Sequence, residues 1–501
     1  MKALCICLLT VGVATLAQAA EGEFVTDPNS AALQAYAAPM DLDESLYGAG
    51  PLEQPGATYY VALDGSDDAD GTSWDTAWRH VHAAVTRLGA GDTLIIGEGE
   101  YVEPTIAMNV ETEQSGEPGR PITIMAAPRH RVIITGGTHP ELSKTPGTEF
   151  CYQTAMAIPR GFAAVWERDT QILLQLTGSL QMCDELPGTW WYDAEGETLH
   201  VHFADSRGAD AHGISVWPGK GSTSNFRIRD DRGLDIRASY VCLRGLHFRN
   251  YNTGLLITGN PEGEGDAKTY RGGDHVTIER CSVSSTTFAG LLLWAGARWN
   301  LMRENYGCLN GARGSIRTNH LDAHDNLFIR NRFDSSAPTI REGGWRYHFG
   351  VSTYGHVGRR NHIIANIMND LQSFRSKYMF QQTALEGNVM LGAASTVPCT
   401  YPNQEPKDLF EGPEDRLIFR GNILMKGFTT HYQPMPESGV GGNWFDDYKC
   451  FVNNFAPGEM TVEDARFADP AWLDYRLQAD SPLKGAGLGG HDIGGYGRPG
   501  G

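Results

Sequence analysis

After its first twenty residues this chain of 501 has no apolar run approaching the roughly 18 residues that span a bilayer, so no transmembrane helix is expected. Positive charge is also in deficit. Lys and Arg number 41 against 60 Asp and Glu, a formal net charge of −19 at pH 7, which argues against nucleic acid as a partner. Cysteine is sparse. Cys5 and Cys7 lie in the apolar N-terminal run, and the remaining seven are an odd number, so at least one stays unpaired within the chain. Spacing leaves Cys151 with Cys183 and Cys399 with Cys450 as open pairings, and buried thiol is the competing reading for most of them. After Gly233 the chain also lacks the amphipathic runs of about 10–15 residues that helical architectures need.

What is present begins with Lys2, an apolar stretch from Ala3 to Leu16, and Ala17-Gln18-Ala19. This is the pattern of a secretory signal peptide covering 1–19, without a lipid-attachment cysteine, and it places the mature protein outside the cytoplasm, periplasmic or extracellular. About 480 further residues exceed the usual size of one compact core, so either several domains or one elongated repeat is expected. Residues 20–56 are rich in Ala, Pro and acid and read as a loosely ordered leader. An N-terminal cap with the first coils follows over 57–137. It has strands at Tyr59–Leu63 and Thr93–Ile96, and a helix with Trp78, Val81, Val85 and Leu88 on one face. "PITIMAA" and "RVIITGG" add two short strands. Residues 138–232 read as a small β-rich insertion, because "GTWWYDAEGETLHVHF" places two alternating runs around an Ala-Glu-Gly turn.

From 233 to 456 the chain repeats itself. Aligned after their short apolar runs, "YVCLRGLHF", "HVTIERCSV", "WNLMRENYG", "DNLFIRNRF", "NHIIANIMN", "TALEGNVML" and "RLIFRGNIL" bring Leu246, Cys281, Asn305, Asn331, Asn366, Asn388 and Asn422 to one position. The successive spacings are 35, 24, 26, 35, 22 and 34, a floor in the low twenties with loop insertions, as stacked coils of a β-solenoid require. Stacked asparagines can form an amide ladder and tolerate left-handed backbone at a sharp turn. Residues 457–501 would then close the far end.

At this point the sequence resembles the secreted right-handed parallel β-helix proteins of the pectin-lyase-like superfamily. The resemblance rests on "YYVALDGSDDADGT", "GAGDTLIIGEGEY", "GRPITIMA", the asparagine-marked coils and "DYRLQADSPLKGAGLGGHDIGGYG", and runs from about Thr58 to Tyr496. It implies an all-β, right-handed parallel β-helix with an N-terminal capping helix and the β-rich insertion. It also implies a monomer acting on or binding carbohydrate. The group includes lyases, hydrolases and non-catalytic proteins, so the fold does not choose among them.

In such proteins substrate lies along one face, formed here by "GLLITG", "GLLLWAG", "GSIRTNHL", "FGVSTYG" and "SFRSKYM". Counting back from the ladder puts Trp294, His320, Gly355 and Lys377 in one column. Leu292, Thr318, Thr353 and Arg375 form the next outward column. Between Arg298 and Phe380, twelve cations stand against six acids in an otherwise acidic chain. That asymmetry suits an acidic or sulfated polysaccharide, and pairing of these arginines with acids on adjacent coils is the competing reading.

For β-elimination on a polyuronate, Arg317 or Arg375 would neutralise the carboxylate and Lys377, His320 or Tyr378 would act as base, since like charge nearby lowers a lysine's pKa. Asp322, Asp325, Asp334, Glu342 and Asp370 are the carboxylates a hydrolase would draw on. Trp294, Tyr354, His356 and Tyr378 are candidates for substrate contact. The triplet His320, Asp322, His324 offers N/O metal ligands, but no further ligand stands at a recognisable spacing, so no metal is assigned. "DGSDDADG" (64–71) offers oxygen donors suited to Ca²⁺; an acidic turn capping the following helix is the alternative.

Overall fold

The computed structural model describes residues 24–25, 42–109, 114–158, 164–217, 231–263, 269–310, 315–318, 323–334, 351–354, 360–369, 374–377, 384–386, 388–390, 394–397, 417–420, 422–424, 428–430, 449–452, 454–455, 466–469, 474–486 and 492. It is a parallel β-helix, built from three ladders of short strands stacked in register. The first is an 11-stranded sheet running from Thr58–Val61 through Ile122–Ala126, Val241–Arg244 and Leu327–Ile329 to Lys449–Val452. The second and third merge into one 18-stranded sheet, because the 12-residue strands Leu246–Ile257 and Ser282–Leu293 turn the corner without breaking. Alternation explains the core. On Gly99–Val102 and Val132–Thr135, Tyr101, Val132 and Ile134 point inward and join Phe248, Phe328, Phe333, Ile363 and Met368 in one continuous cluster. Each fully buried side chain of this kind contributes roughly 1.5–3 kcal/mol, and each coil finds its partners only on its neighbours.

The expected asparagine ladder is present. Asn305 Nδ2 donates to Asn331 Oδ1 at 3.0 Å, Asn331 to Asn366 at 2.9 Å, Asn366 to Asn388 at 3.0 Å and Asn388 to Asn422 at 2.9 Å, all buried. The left-handed backbone lies one residue earlier than expected. Arg280, Glu304, Arg330 and Ala365 have φ of 51°, 56°, 57° and 52°, and each asparagine accepts the backbone N–H of its equivalent in the coil before. A second amide stack runs through Asn300, Asn326 and Asn361, also at 2.9 Å per step, behind left-handed Trp299, Asp325 and Arg360.

The capping helix is short, Val81–Val85, but Trp78, Val81, Val85 and Leu88 are all buried against the end of the core. The insertion leaves the stacking undisturbed. Val132–Thr135 pairs directly with Leu246–Arg249, and Ile122–Met125 with Val241–Arg244, so the excursion loops out between adjacent coils. It leaves at Gly136, where a Cβ would come within 2.5 Å of the Asn250 carbonyl. Inside it, Thr189–Asp193 and Thr198–His202 form the expected antiparallel hairpin, and Tyr152–Ala155 adds to its edge. Val165, Leu174, Trp190, Leu199, Val201, Phe203, Ile214 and Val216 give it a core of its own. Cys151 and Cys183 lie against one another there as buried free thiols. Cys399 falls outside the described residues. Residues 42–50, within the leader, pack on the first ladder: Tyr47 meets Leu301, Leu327, Ile329 and Ile364, and Glu44 pairs with Arg330 at 3.1 Å.

Candidate functional site

The third ladder carries the face singled out in the sequence, with Ile316–Thr318, Val351–Tyr354, Phe374–Lys377 and Ala394–Val397 stacked in parallel. Its register assigns the columns. Leu291, Ile316, Val351, Phe374 and Ala394 share one, and Leu293, Thr318, Thr353, Ser376 and Thr396 another. Leu291, Leu293, Ile316 and Thr318 are all buried, and Leu291, Leu293 and Ile316 belong to the main core cluster. The register between them aligns Leu256, Leu292, Arg317, Ser352, Arg375, Ser395 and Thr429 in a third column, whose first two members are buried in a small cluster of their own with Phe288 and Ala289. Leu292 and Arg375 therefore share a column as expected. Thr318 and Thr353 do not belong to it, and Arg317 and Ser352 stand in their place. One step further on, Tyr354 pairs with Lys377, so Gly355 is displaced from that column. Trp294 follows Leu293 as Tyr354 follows Thr353; it is half-buried beside Leu256, Phe288 and Leu292. His320, Asp322, His356 and Tyr378 lie outside the described residues.

Much of the basic segment is neutralised at the corners of the helix, away from this face. Arg298 pairs with Asp274 at 3.3 Å, Arg303 with Glu279 at 2.5 Å, Arg330 with Glu304 at 3.6 Å, and Arg332 with Asp334 at 3.0 Å. Arg360 grips both oxygens of Asp325 at 2.6 and 2.5 Å. These partners sit mostly on the neighbouring coil, one strand spacing away, where ladder stacking brings unlike charges together. Two of the carboxylate candidates, Asp325 and Asp334, are consumed in the same way. Burial would raise the Asp325 carboxyl, but hydrogen bonds from His324 and Arg360 hold it down to about 2. His324, a member of the triplet to which no metal was assigned, is thereby turned onto Asp325 at 2.6 Å. Glu342 and Asp370 fall outside the described residues.

In the 64–71 loop, Asp70 accepts from the Thr72 amide and hydroxyl and from the Thr76 hydroxyl. Asp67 accepts from the Arg79 and His80 amides and meets His80 Nδ1 at 2.5 Å. Those oxygens serve the turn and the start of the short helix.

Two clusters escaped the sequence reading, because their members are far apart in the chain. On the second ladder Glu100, 7% exposed at its side chain, accepts from Arg249 Nη2 at 2.7 Å and lies 3.3 Å from His139 Nε2. Burial would raise its carboxyl, but His139 and the Arg249 guanidinium hold it down to about 2. In the insertion, buried His212 lies between Asp169 at 2.7 Å on Nδ1 and Asp205 at 2.9 Å on Nε2, with buried Glu167 at 3.5 Å. Burial would lower this imidazole, but the two carboxylates raise it. Both ring nitrogens facing carboxylates is the arrangement of an imidazolium. Glu167, Asp169 and His212 are also the set of side chains close enough together to hold a cation among the described residues.

No protein-family model matches the sequence, and no curated protein matches it. Among solved structures the chain is similar to a glycoside hydrolase, at 10% identity over 85% of this chain and 99% of that one, with a TM-score of 0.46. It is also similar to the pectate lyase Pel9A, at 12% identity over 91% and 99% with a TM-score of 0.41. The lacto-N-biosidase of Eubacterium ramulus is a third likeness, at 13% identity over 80% of this chain and 67% of that one, TM-score 0.42. These likenesses concern the course of the chain.

Proposed function

We propose that this is an exported carbohydrate-active β-helix whose third-ladder face binds an acidic polysaccharide and cleaves it by β-elimination. The observation that carries the reading is the register. Positions 317 and 375 share one register column two coils apart, and Lys377 pairs with Tyr354 two residues further along. Neighbouring strands are roughly 4.8 Å apart, so successive coils meet successive stretches of a chain laid along the face. In the proposed step Arg317 or Arg375 binds the uronate carboxylate and stabilises the charge that develops as the adjacent ring proton leaves. Lys377 takes that proton. The electron pair closes the ring double bond and expels the glycosidic oxygen, which is reprotonated from solvent. Trp294 and Tyr354 offer surfaces for sugar rings beside the reacting unit.

The test is incubation with polyuronates and sulfated glycans, following ultraviolet absorbance of the unsaturated product and release of reducing ends in parallel. Elimination gives both signals, and Lys377→Ala lowers kcat by about 10²–10⁴. Reducing ends without absorbance would make the protein a hydrolase. Binding without either would leave it a non-catalytic carbohydrate-binding protein. Activity undiminished in both Lys377→Ala and Arg375→Ala would remove these residues from the site.

A further inference from the structure

Where the insertion leans on the second ladder, a cavity of about 410 Å³ opens to solvent between Glu98, Glu100 and Arg131 of the coils and Arg168, Asp169 and Gln171 of the insertion. Its size falls within the roughly 300–1,000 Å³ of small-molecule sites. Nothing in the activity assigned above uses it, since it lies on a different ladder from positions 317, 375 and 377. It holds a buried polar atom without a hydrogen bond. Glu100 Oε1 takes Arg249, whereas Oε2, on a side chain 7% exposed, accepts no hydrogen bond and meets Arg168 Nε only as an ion pair at 3.6 Å. A buried carboxylate oxygen left in this state is costly and marks a position where a donor belongs.

We propose that this cleft is a binding pocket for a neutral sugar residue, distinct from the third-ladder face. The ligand class follows from the mixture of groups. Three carboxylates, on Glu98, Glu100 and Asp169, meet two guanidinium groups, on Arg131 and Arg168, across the same space. Arg131 is exposed at the rim of the cleft. An anionic ligand would face the three carboxylates and a cationic one the two arginines. Vicinal hydroxyls suit both: each donates to a carboxylate oxygen such as Glu100 Oε2 while accepting from a guanidinium fork. Leu63 and Ile133 supply an apolar wall for the C–H face of a ring. The pocket is held in shape by Arg249, which donates to Gln171 Oε1 at 2.6 Å and stacks over Trp166 at 4.9 Å, tying insertion to coil.

The experiment is isothermal titration of the full chain with methyl glycosides of neutral hexoses and pentoses, and with the methyl glycoside of a uronic acid as the anionic control. At least one neutral glycoside binds saturably and the uronate binds more weakly. Arg131→Ala, at an exposed position, weakens the neutral ligand about tenfold, as loss of a charge-assisted hydrogen bond should. Glu98→Gln supplies a second rim variant that leaves the Glu100–Arg249 pair intact. Arg375→Ala leaves this binding unchanged, so failure of the polysaccharide reading would not affect it. Absence of saturable binding by every neutral glycoside, unchanged affinity in both rim variants, or a uronate bound as tightly as the neutral sugars would each overturn the proposal.

Discussion

Replacing Asn331 tests the amide ladder as a structural element. Its side chain is fully buried and makes four hydrogen bonds. Oδ1 accepts from the Asn305 amide and from Asn305 Nδ2, both at 3.0 Å, and Nδ2 donates to the Met302 carbonyl and to Asn366 Oδ1, both at 2.9 Å. At about 1 kcal/mol net for each bond, with partners on two neighbouring coils left unsatisfied, Asn331→Ala should cost about 4 kcal/mol or more. Asn331→Asp is the sharper probe. It keeps the two acceptor contacts but sets a carboxylate oxygen against the Met302 carbonyl and Asn366 Oδ1, so at pH 7 it should be less stable than the alanine variant. Those two acceptors favour the protonated acid and raise the folded-state pKa of the new group above its unfolded value near 3.9. The deficit relative to alanine is therefore full above the raised value and shrinks as pH falls through it. Urea unfolding followed by tryptophan fluorescence, at pH 7 and in steps toward pH 4, measures both effects. An alanine variant within about 1 kcal/mol of the wild type, or an aspartate variant matching alanine at pH 7, would refute the reasoning.

The Glu100–Arg249 pair should show in the acid limb. The Glu100 carboxyl is lowered from its ordinary 4.5 to about 2 by His139, Arg249 and Ser215 together, so these partners contribute roughly 3 kcal/mol above that ordinary value, lost as pH falls toward 2. Glu100→Gln should be destabilised at pH 7 and converge on the wild type in acid; a pH-independent gap would show that the charge is not responsible. His212 works in the opposite direction. Its pKa is raised in the fold, so its contribution is complete below the ordinary imidazole value near 6.5 and is lost as pH rises through the raised value. The urea midpoint of the wild type should decline across that window while His212→Gln stays flat, and parallel profiles would exclude an imidazolium at this position.

The repeat was legible because a solenoid writes its architecture into local sequence. Short apolar runs and an asparagine at one corner recur at coil spacing, and the structure stacks Asn305, Asn331, Asn366, Asn388 and Asn422 in that order. A second signal was equally available. Asparagine pairs five residues apart, 300 and 305, 326 and 331, 361 and 366, mark both corners of the first ladder's strands, and only the second of each pair was used. The outward column was misassigned by one residue at 318 and 353, because counting back across loops of variable length fixes a strand's neighbourhood but not its parity. A one-residue slip exchanges inside for outside.

By itself, then, the sequence determined the export pattern as an expectation, the coil period, the corner asparagines and the place of the insertion, all written in contiguous residues. Only the tertiary structure decided which charges are spent. Arg360 on Asp325 and Arg303 on Glu279 are contacts between coils, and Glu100 on Arg249 joins residues 149 apart. The reason is that coil stacking, not chain proximity, sets the distance between side chains, and Coulomb energy depends on that distance. A run of arginines reads as a basic surface in one dimension. In three dimensions much of it is a row of neutral pairs at the corners, and the sugar-binding cleft proposed here exists only where the insertion meets the coil.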